Sequence, residues 1–484
     1  MGLEALENGF NPRRKFANHH TTVEVDGVFV RLPNEEEGEN WIVDRKNKTI
    51  TIPFVDILQD PSIIRSARVS TGRDAQAVNE KAQGLVNALW RDSHVTPYEG
   101  GVVFRLRIQT PIMYAQPLFR LFGSHNEFSG RYSRIDGDYY TPSTLSTKQQ
   151  QEFIEAEKNS QELYALLNDP APKGLAVANE MARLVHLYRF YTKFYMTISL
   201  RHIMEFLTWE NIPNRYSTTE FEDIKYLFEE IIRTWTPWSF EALQNNPHHI
   251  NFYWARELVG RYPRPLELPY LKSQKILNLG EIRLLEIFGK EELMFGCLDD
   301  YPKPIVGFGH GGMTFVATMP IHVFRQWVRH RFGTITELTI DFDSVVSDRL
   351  FFVPERFRKQ VGKAMQYKFE DCDDSENNQI LDLYNQHIDD ARKRYARLRN
   401  DNVSAQTAAM ILPYCFYIPT VSTYSIHGLF NFLNLRADIH AQTEIRDYAK
   451  VIWEMFQEAF PEVAWQFLGN IFDADSPFIK RNKP

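Results

Sequence analysis

The sequence is poor in cysteine: Cys297, Cys372 and Cys415 stand alone, an odd count of three in 484 residues. That excludes a disulfide framework and a cysteine-based metal site, and it points to a reducing compartment. Long apolar runs are missing too. Stretches such as 428-GLFNFLNL-435 fall far short of the roughly 20 residues of a membrane span. The opening MGLEALENGFNPRRKF carries acids and Asn where a signal peptide needs an apolar stretch, so a cytoplasmic protein is expected. Basic residues are not in excess. The 55 Lys+Arg face 62 Asp+Glu, and the net charge of −7 gives no support to general nucleic-acid binding. No spacing of His, Cys and carboxylates suggests a metal. His19-His20 and His248-His249 lie in polar stretches and read as loop residues.

What remains is an ordinary globular composition, 43% hydrophobic and 24% charged, in a chain too long for one typical core. The chain also repeats itself. After a polar, Glu-rich first 48 residues, 101-GVVFRLRIQTPIMYAQPLFRLFGSHNEFSGRY-132 reads as a strand, a proline, then an apolar-periodic segment ending in a polar cluster. The stretch 311-GGMTFVATMPIHVFRQWVRHRFGTITELTIDF-342 reads the same way. Pro111 pairs with Pro320 and, after a one-residue slip, Gln116 with Gln326, Gly123 with Gly333 and Glu127 with Glu337. Downstream, 182-ARLVHLYRFYTKFYMTISLRHIMEFL-207 matches 408-AAMILPYCFYIPTVSTYSIHGLFNFL-433, and each is followed by a long amphipathic helix. The proline-rich 263-PRPLELPYLK-272 marks a boundary. The expected organisation is α+β: an extension over 1–48, a first domain over 49–262, a linker over 263–274 and a second domain over 275–484, related by tandem duplication.

The segment 324-FRQWVRHR-331 concentrates cations among large apolar groups in an acidic chain. A solvated charged face would be mixed in sign and poor in Trp, so a partly buried anion site is the alternative. Arg325-Gln326-Trp327 and Arg329-His330-Arg331, read with Glu127, Ser129, Arg131 and Tyr132 and with 431-NFLNLRADIHAQTEIR-446, resemble the flavin-dependent thymidylate synthases. The resemblance covers about residues 49–244 and 275–470.

It is divided between the halves. The second half keeps Arg325 to Arg331 but reads Asp341-Phe342 where the family has Arg-Tyr; the first half has lost Arg-His-Arg but keeps Glu127, Ser129, Arg131 and Tyr132. The family's uracil-side arginine stands as Arg436 in the second half and as Glu210 in the first, and Asn431 as Glu205. A further family arginine survives as Arg183 and is Ala409 in the second half; a flavin-side arginine survives as Arg201 and is His427. Thr96 matches a flavin-contacting threonine, replaced by Val306. The resemblance therefore implies an intrachain pseudo-dimer with one competent composite site and one abandoned. The FAD side would take Thr96, Glu127, Arg201, Arg329, His330, Arg331 and Asn431. The dUMP side would take Gln326, Arg329, Glu127, Phe128, Ser129, Gly130, Arg131 and Arg436, with Arg436 and Ser129 as catalytic candidates. NADPH and methylenetetrahydrofolate are the implied co-reactants, and a homodimer would restore the family's four units.

Guanidinium forks suit phosphate and pyrophosphate and stay charged when partly buried. Ser129 need not be a nucleophile, since no base is visible beside it. The helix bearing Arg436 reads as apolar nearly all round and buried, with His427, Asn431, Asn434 and Asp438 as its one polar stripe. Other readings stay open: hydroxymethylation of dUMP or another uracil nucleotide as substrate, a catalytically silent scaffold, and nucleic-acid binding through the arginine cluster.

Overall fold

The computed structural model describes residues 15–18, 20–28, 30–31, 42–44, 49–51, 56–57, 59–72, 78, 82–135, 137–208, 219–247, 263–297, 304–361, 368–438 and 440–465. His19, Glu210, His248, His249, the acidic run at 35–40 and the side chain of Val306 lie outside the described residues.

Two compact units are present: 1–128 with 191–261, and 129–190 with 262–484. In the first, a five-stranded antiparallel sheet runs, edge to edge, Lys15–Ala17, Thr22–Val28, Val103–Pro111, Tyr191–Ser199, Ser124–Glu127. In the second, the order is Lys272–Ile276, Gly280–Phe288, Gly312–Pro320, Tyr417–Ser425, Gly333–Glu337. The two orders correspond strand for strand. Each sheet's third strand ends at the proline seen in sequence and leads into a seven-residue helix, Ile112–Leu118 or Ile321–Trp327.

Alternation explains the first sheet: Phe104, Leu106 and Ile108 are buried while Arg105 and Arg107 face outward. In the second, Gly312–Pro320 is buried along nearly its whole length, as a central strand covered on both faces must be.

The structure departs from the sequence reading in several places. Residues 15–28, expected in an extension, supply two strands of the first sheet, because Thr22–Val28 carries the alternating pattern that pairs with Val103–Pro111. The polar ends of the two motif segments are edge strands, Ser124–Glu127 and Gly333–Glu337, where one exposed face tolerates polar residues. Part of the expected linker, from Lys272, is also a strand. The boundary near 262 coincides with the division into units, but 129–190 lies in the second unit rather than with the rest of 49–262. Two helices tie it there. Thr147–Asn168 packs on Asp374–Asn400, with Arg394 reaching Glu152 at 2.9 Å and Glu155 at 2.8 Å, and Arg397 reaching Glu152 at 2.7 Å.

His20 does lie between strands, but it is buried against Tyr114 with Nδ1 2.7 Å from the Thr21 hydroxyl. The three cysteines are free. Among the described residues, no helix is long and apolar enough to cross a membrane.

The second unit buries four histidines: His186, His322, His330 and His387. Desolvation pushes His186 and His330 down to about 3 and His387 to about 4, and holds His322 well below its usual range. Their unfolded pKa lies near 6.5, so this contribution to stability is full above about 6.5 and is lost as pH falls toward the folded values. Asp60, in the first unit, acts in the opposite sense, because burial raises it to about 6. The histidines outnumber it. Denaturant midpoints should therefore fall between pH 7 and 5, each histidine contributing a slope of about 1.4 kcal/mol per pH unit. A midpoint independent of pH over that range would contradict neutral burial of these rings.

Candidate anion and nucleotide site

The Arg-His-Arg segment leaves the Ile321–Trp327 helix and is mostly interior. Arg325, Trp327, Val328 and His330 are buried, Gln326 and Arg329 half-buried, and Arg331 exposed. Trp327 anchors it. Its Nε1 donates to Ser422 Oγ at 3.1 Å, and its ring lies 4.7 Å from Phe432 and 6.1 Å from Tyr448. Those partners belong to the strand Tyr417–Ser425 and to the helices Ile426–Arg436 and Thr443–Ala459, so one indole sets the spacing of all three. Gly428 allows the close approach. A Cβ there would collide with the Phe332 carbonyl, and the first half carries His202 at the corresponding position.

This packing places Arg436 on the motif. Its Nε donates to His330 Nε2 at 2.7 Å and its Nη2 to the Gln326 carbonyl at 3.0 Å. The histidine nitrogen must accept, so His330 is neutral with its proton on Nδ1. Burial, reinforced by Arg131 and Arg329, pulls Arg436 down to about 10. No carboxylate pairs with it among the described residues. The Arg436 helix is buried through Ile426, Leu429, Phe430, Phe432 and Leu433, as expected. Leu435, however, is exposed, because that face also carries half-buried His427 and Asn431 and exposed Asn434.

Gln442 completes the centre. It is the N-cap residue of Thr443–Ala459, yet its side chain does not cap. Its Oε1 accepts from Gln326 Nε2 at 2.8 Å and from Arg183 Nη2 at 2.9 Å. Its Nε2 is buried without a partner, as is Arg183 Nε. Arg131 stands alongside. Nε donates to Glu180 at 2.7 Å and Nη2 to the His440 carbonyl at 2.6 Å. Glu180 also lies 3.2 Å from Arg358, which donates to Glu444 at 2.9 and 3.2 Å. The second unit thus gathers Arg131 and Arg183, from before residue 190, with Gln326, His330 and Arg436, from after 320.

Arg183, Glu180, Arg358, Gln442 and Glu444 were not among the site residues expected from sequence. Gln442 and Glu444 lay inside the quoted 431–446 run, and Arg183 was a surviving family arginine. Nothing in sequence pointed to Arg358.

Ser129 Oγ accepts only the Arg131 backbone N–H, at 3.3 Å; no histidine or carboxylate bonds to it among the described residues. Gly130 is buried against Ile135. In the first unit, Thr96 is exposed at the start of the Thr96–Gly101 helix, Glu127 accepts from Thr192 Oγ1 at 2.7 Å, and Phe128 is exposed. Arg201 is held by Glu99 at 2.7 Å and Glu205 at 2.8 Å. His94 is exposed. Asp341, where the other half has Arg131, is the N-cap of Phe342–Ser347. It accepts from the N–H groups of Asp343 and Ser344 and from the Ser344 hydroxyl, bonds that hold its carboxyl below the usual range.

Two antiparallel sheets, one in each unit and each with its helices, make an α+β protein, and in the second unit guanidiniums gather around neutral amide and imidazole partners, the chemistry from which an anion site can be built. The chain belongs to the thymidylate synthase complementing protein family, whose profile matches residues 55–238 and 307–462, and with that family it is an enzyme. It is 34% identical to the flavin-dependent thymidylate synthase of Thermosipho africanus over 35% of this chain and 73% of that one. It is 30% identical to that of Thermus thermophilus over 51% of this chain and 98% of that one. Among solved structures, the UMP/dUMP methylase PolB from Streptomyces cacaoi bound with 5-Br dUMP is similar at 27% identity and a TM-score of 0.34, over 39% of this chain and 90% of that chain.

The Arg436–His330 bond has a spectroscopic consequence. In ¹⁵N NMR of histidine-labelled protein, the His330 ring should stay in the Nδ1–H form from pH 8 down to about 4. Arg436→Gln removes the neighbouring cation and should move its titration upward. A ring that titrates near 6.5 in the unmodified protein would show that Nε2 is not the acceptor described.

Proposed function

We propose that the chain transfers a one-carbon unit from methylenetetrahydrofolate to C5 of dUMP, with FAD as the resident cofactor and NADPH as reductant. The observation that carries this reading is Arg436: a partly desolvated cation whose side-chain partners are a neutral imidazole and a backbone carbonyl. Such a group retains its charge for an incoming oxyanion. Aimed at a uracil carbonyl, it stabilises the negative charge that builds on the ring as C5 becomes nucleophilic. Gln326 and Gln442 orient it, through the Gln326 carbonyl and the amide–amide bond. Arg183, whose side-chain bond is to a neutral amide, suits the phosphate, and Arg131 adds to the local positive potential. Ser129 serves as a hydrogen-bonding group, for want of a base.

The donor set fits a flavin dinucleotide. Arg329 and Arg331 offer guanidiniums and Asn431 an amide, beside the exposed apolar faces of Phe332 and Leu435. Thr96, Glu127 and Arg201, which the resemblance puts on the flavin side, lie in the first unit, where Arg201 is already paired with Glu99 and Glu205. When bound, the flavin supplies the hydride that completes the transfer.

The reading extends to the whole chain as a tandem duplication with one nucleotide site per chain, assembled from both halves, and to two chains associating as a pseudo-tetramer. Its support is complementary retention: Arg131 and Arg183 survive beside a lost Arg-His-Arg, while Arg329 and Arg436 survive beside Asp341 and Ala409. Purified protein should be yellow, bind one dUMP per chain, and give 5-methylated product by mass spectrometry when supplied with folate and NADPH. A product heavier by one oxygen would identify hydroxymethylation instead. Arg131→Ala and Arg436→Ala should each abolish turnover, and the double variant should be barely worse, because residues acting as one unit are non-additive. Light scattering should give about twice 56.8 kDa. Colourless protein that cannot be reconstituted with FAD, or two equivalent nucleotides per chain, would refute this reading.

A further inference from the structure

Arg358 opens the strand Arg358–Val361, which pairs with Lys368–Asp371. Its carbonyl accepts from the Ala178 N–H at 2.8 Å, and Lys359 bridges Val177. The strand is therefore fastened to the chain just before the short helix Asn179–Ala182, which carries Glu180 and leads directly into Arg183. The Arg358 side chain is 12% exposed and sits between two carboxylates buried still more deeply, Glu180 at 2% and Glu444 at 5%.

The charges of this cluster can be counted. Among the groups that bond to Arg358, to its carboxylate partners or to Gln442, Arg131, Arg183 and Arg358 contribute three positive charges and Glu180 and Glu444 two negative ones; Asp447, with Arg446 and Lys450 beside it, acts on Glu444 and Arg358 only through space and stands outside this count. The sum is one positive charge. Without Arg358 it is zero, and Glu444 becomes a buried carboxylate with no cation bonded to it. Arg183 would then be the nearby guanidinium without a carboxylate partner, since its side-chain bond is to Gln442. Both carboxylates already act on it electrostatically. A buried charge left unpaired recruits the nearest counterion, because the low-dielectric interior makes its isolation costly.

We propose that Arg358 is a positioning residue that sets the site's selectivity for a phosphorylated over an unphosphorylated nucleoside: by holding Glu180 and Glu444, it keeps Arg183 free of carboxylates and open to a phosphoryl dianion. The inference rests on the nucleotide reading above and adds to it a residue that touches neither base nor phosphate.

The test measures binding of dUMP and of deoxyuridine to the full-length purified protein by calorimetry, with flavin content and melting temperature recorded for each variant. Arg358→Met keeps the length and removes the charge. It should weaken dUMP binding at least tenfold and leave deoxyuridine within about twofold. Arg358→Lys should recover part of the loss. The double variant Arg358→Met, Glu444→Gln returns the cluster to one positive charge and should restore dUMP binding to within a few-fold of the unmodified protein. A purely structural role for Arg358 predicts no such recovery. The proposal is overturned if Arg358→Met binds dUMP normally, or if it weakens both ligands equally and the double variant fails to rescue. Should Arg358→Met not fold, the lysine and double variants decide on the same criteria. If the unmodified protein shows no preference for dUMP over deoxyuridine, the nucleotide reading itself fails, and this inference with it.

Discussion

The site depends on one contact: a guanidinium donating to an imidazole. Arg436 and His330 can be 2.7 Å apart only if the histidine is neutral, and the histidine is neutral because it is buried beside that same cation. Had the partner been a carboxylate, Arg436 would be a neutralised structural ion pair, as Arg201 is with Glu99 and Glu205 in the first unit. Paired with imidazole and a carbonyl, it stays a charge in search of an anion. The Trp327 packing, the glycine at 428 and the capping of the Ile426–Arg436 helix by Ser425 all hold this contact in register.

Around it, the second unit keeps more positive than negative charge in a partly buried place. That arrangement is costly unless a ligand or a network compensates. The network is visible: Glu180 shared by Arg131 and Arg358, Glu444 held by Arg358, and Gln442 joining Arg183 to Gln326. Amides and carbonyls satisfy hydrogen bonds without cancelling charge, which is the property an anion site needs. The counterpart segment at Asp341 has taken the opposite course. Its carboxylate is spent on a helix N-terminus, a stable local role that leaves nothing for a phosphate.

The correspondence of the two sheets sharpens what differs between them. The same strand order is followed by a helix with Asn431 at its middle and Arg436 at its end, while the matching first-unit helix has Arg201 closed by Glu205. One scaffold can hold a charged site or a neutral one, depending on a handful of side chains at the ends of the same elements. Asp60 is a buried group with a fastening role: its carboxyl accepts from Ser239 and Trp238 and holds the Pro237–Asn245 helix.

Much of this was legible in the linear chain, because local patterns are written locally. The strand, proline, apolar-periodic order of each motif segment and the amphipathic Thr443–Ala459 helix follow from periodicity and from side chains adjacent in sequence, and the family was legible as a resemblance of motifs. The spacing of Gln326, His330 and Arg436 within recognisable motifs made them site candidates before any fold was known. Tertiary structure decided the rest. That 15–28 belongs to a sheet depends on pairing with strand 103–111, a partner some 80 residues away. That 129–190 belongs to the second unit depends on helix packing and ion pairs with residues beyond 370. That Arg358 stands between Glu180 and Glu444 depends on a strand fastened across nearly 180 residues of sequence, and no pattern around position 358 announces it. Charge type is a property of a residue, but charge balance is a property of a neighbourhood, and only the folded chain has neighbourhoods of that kind.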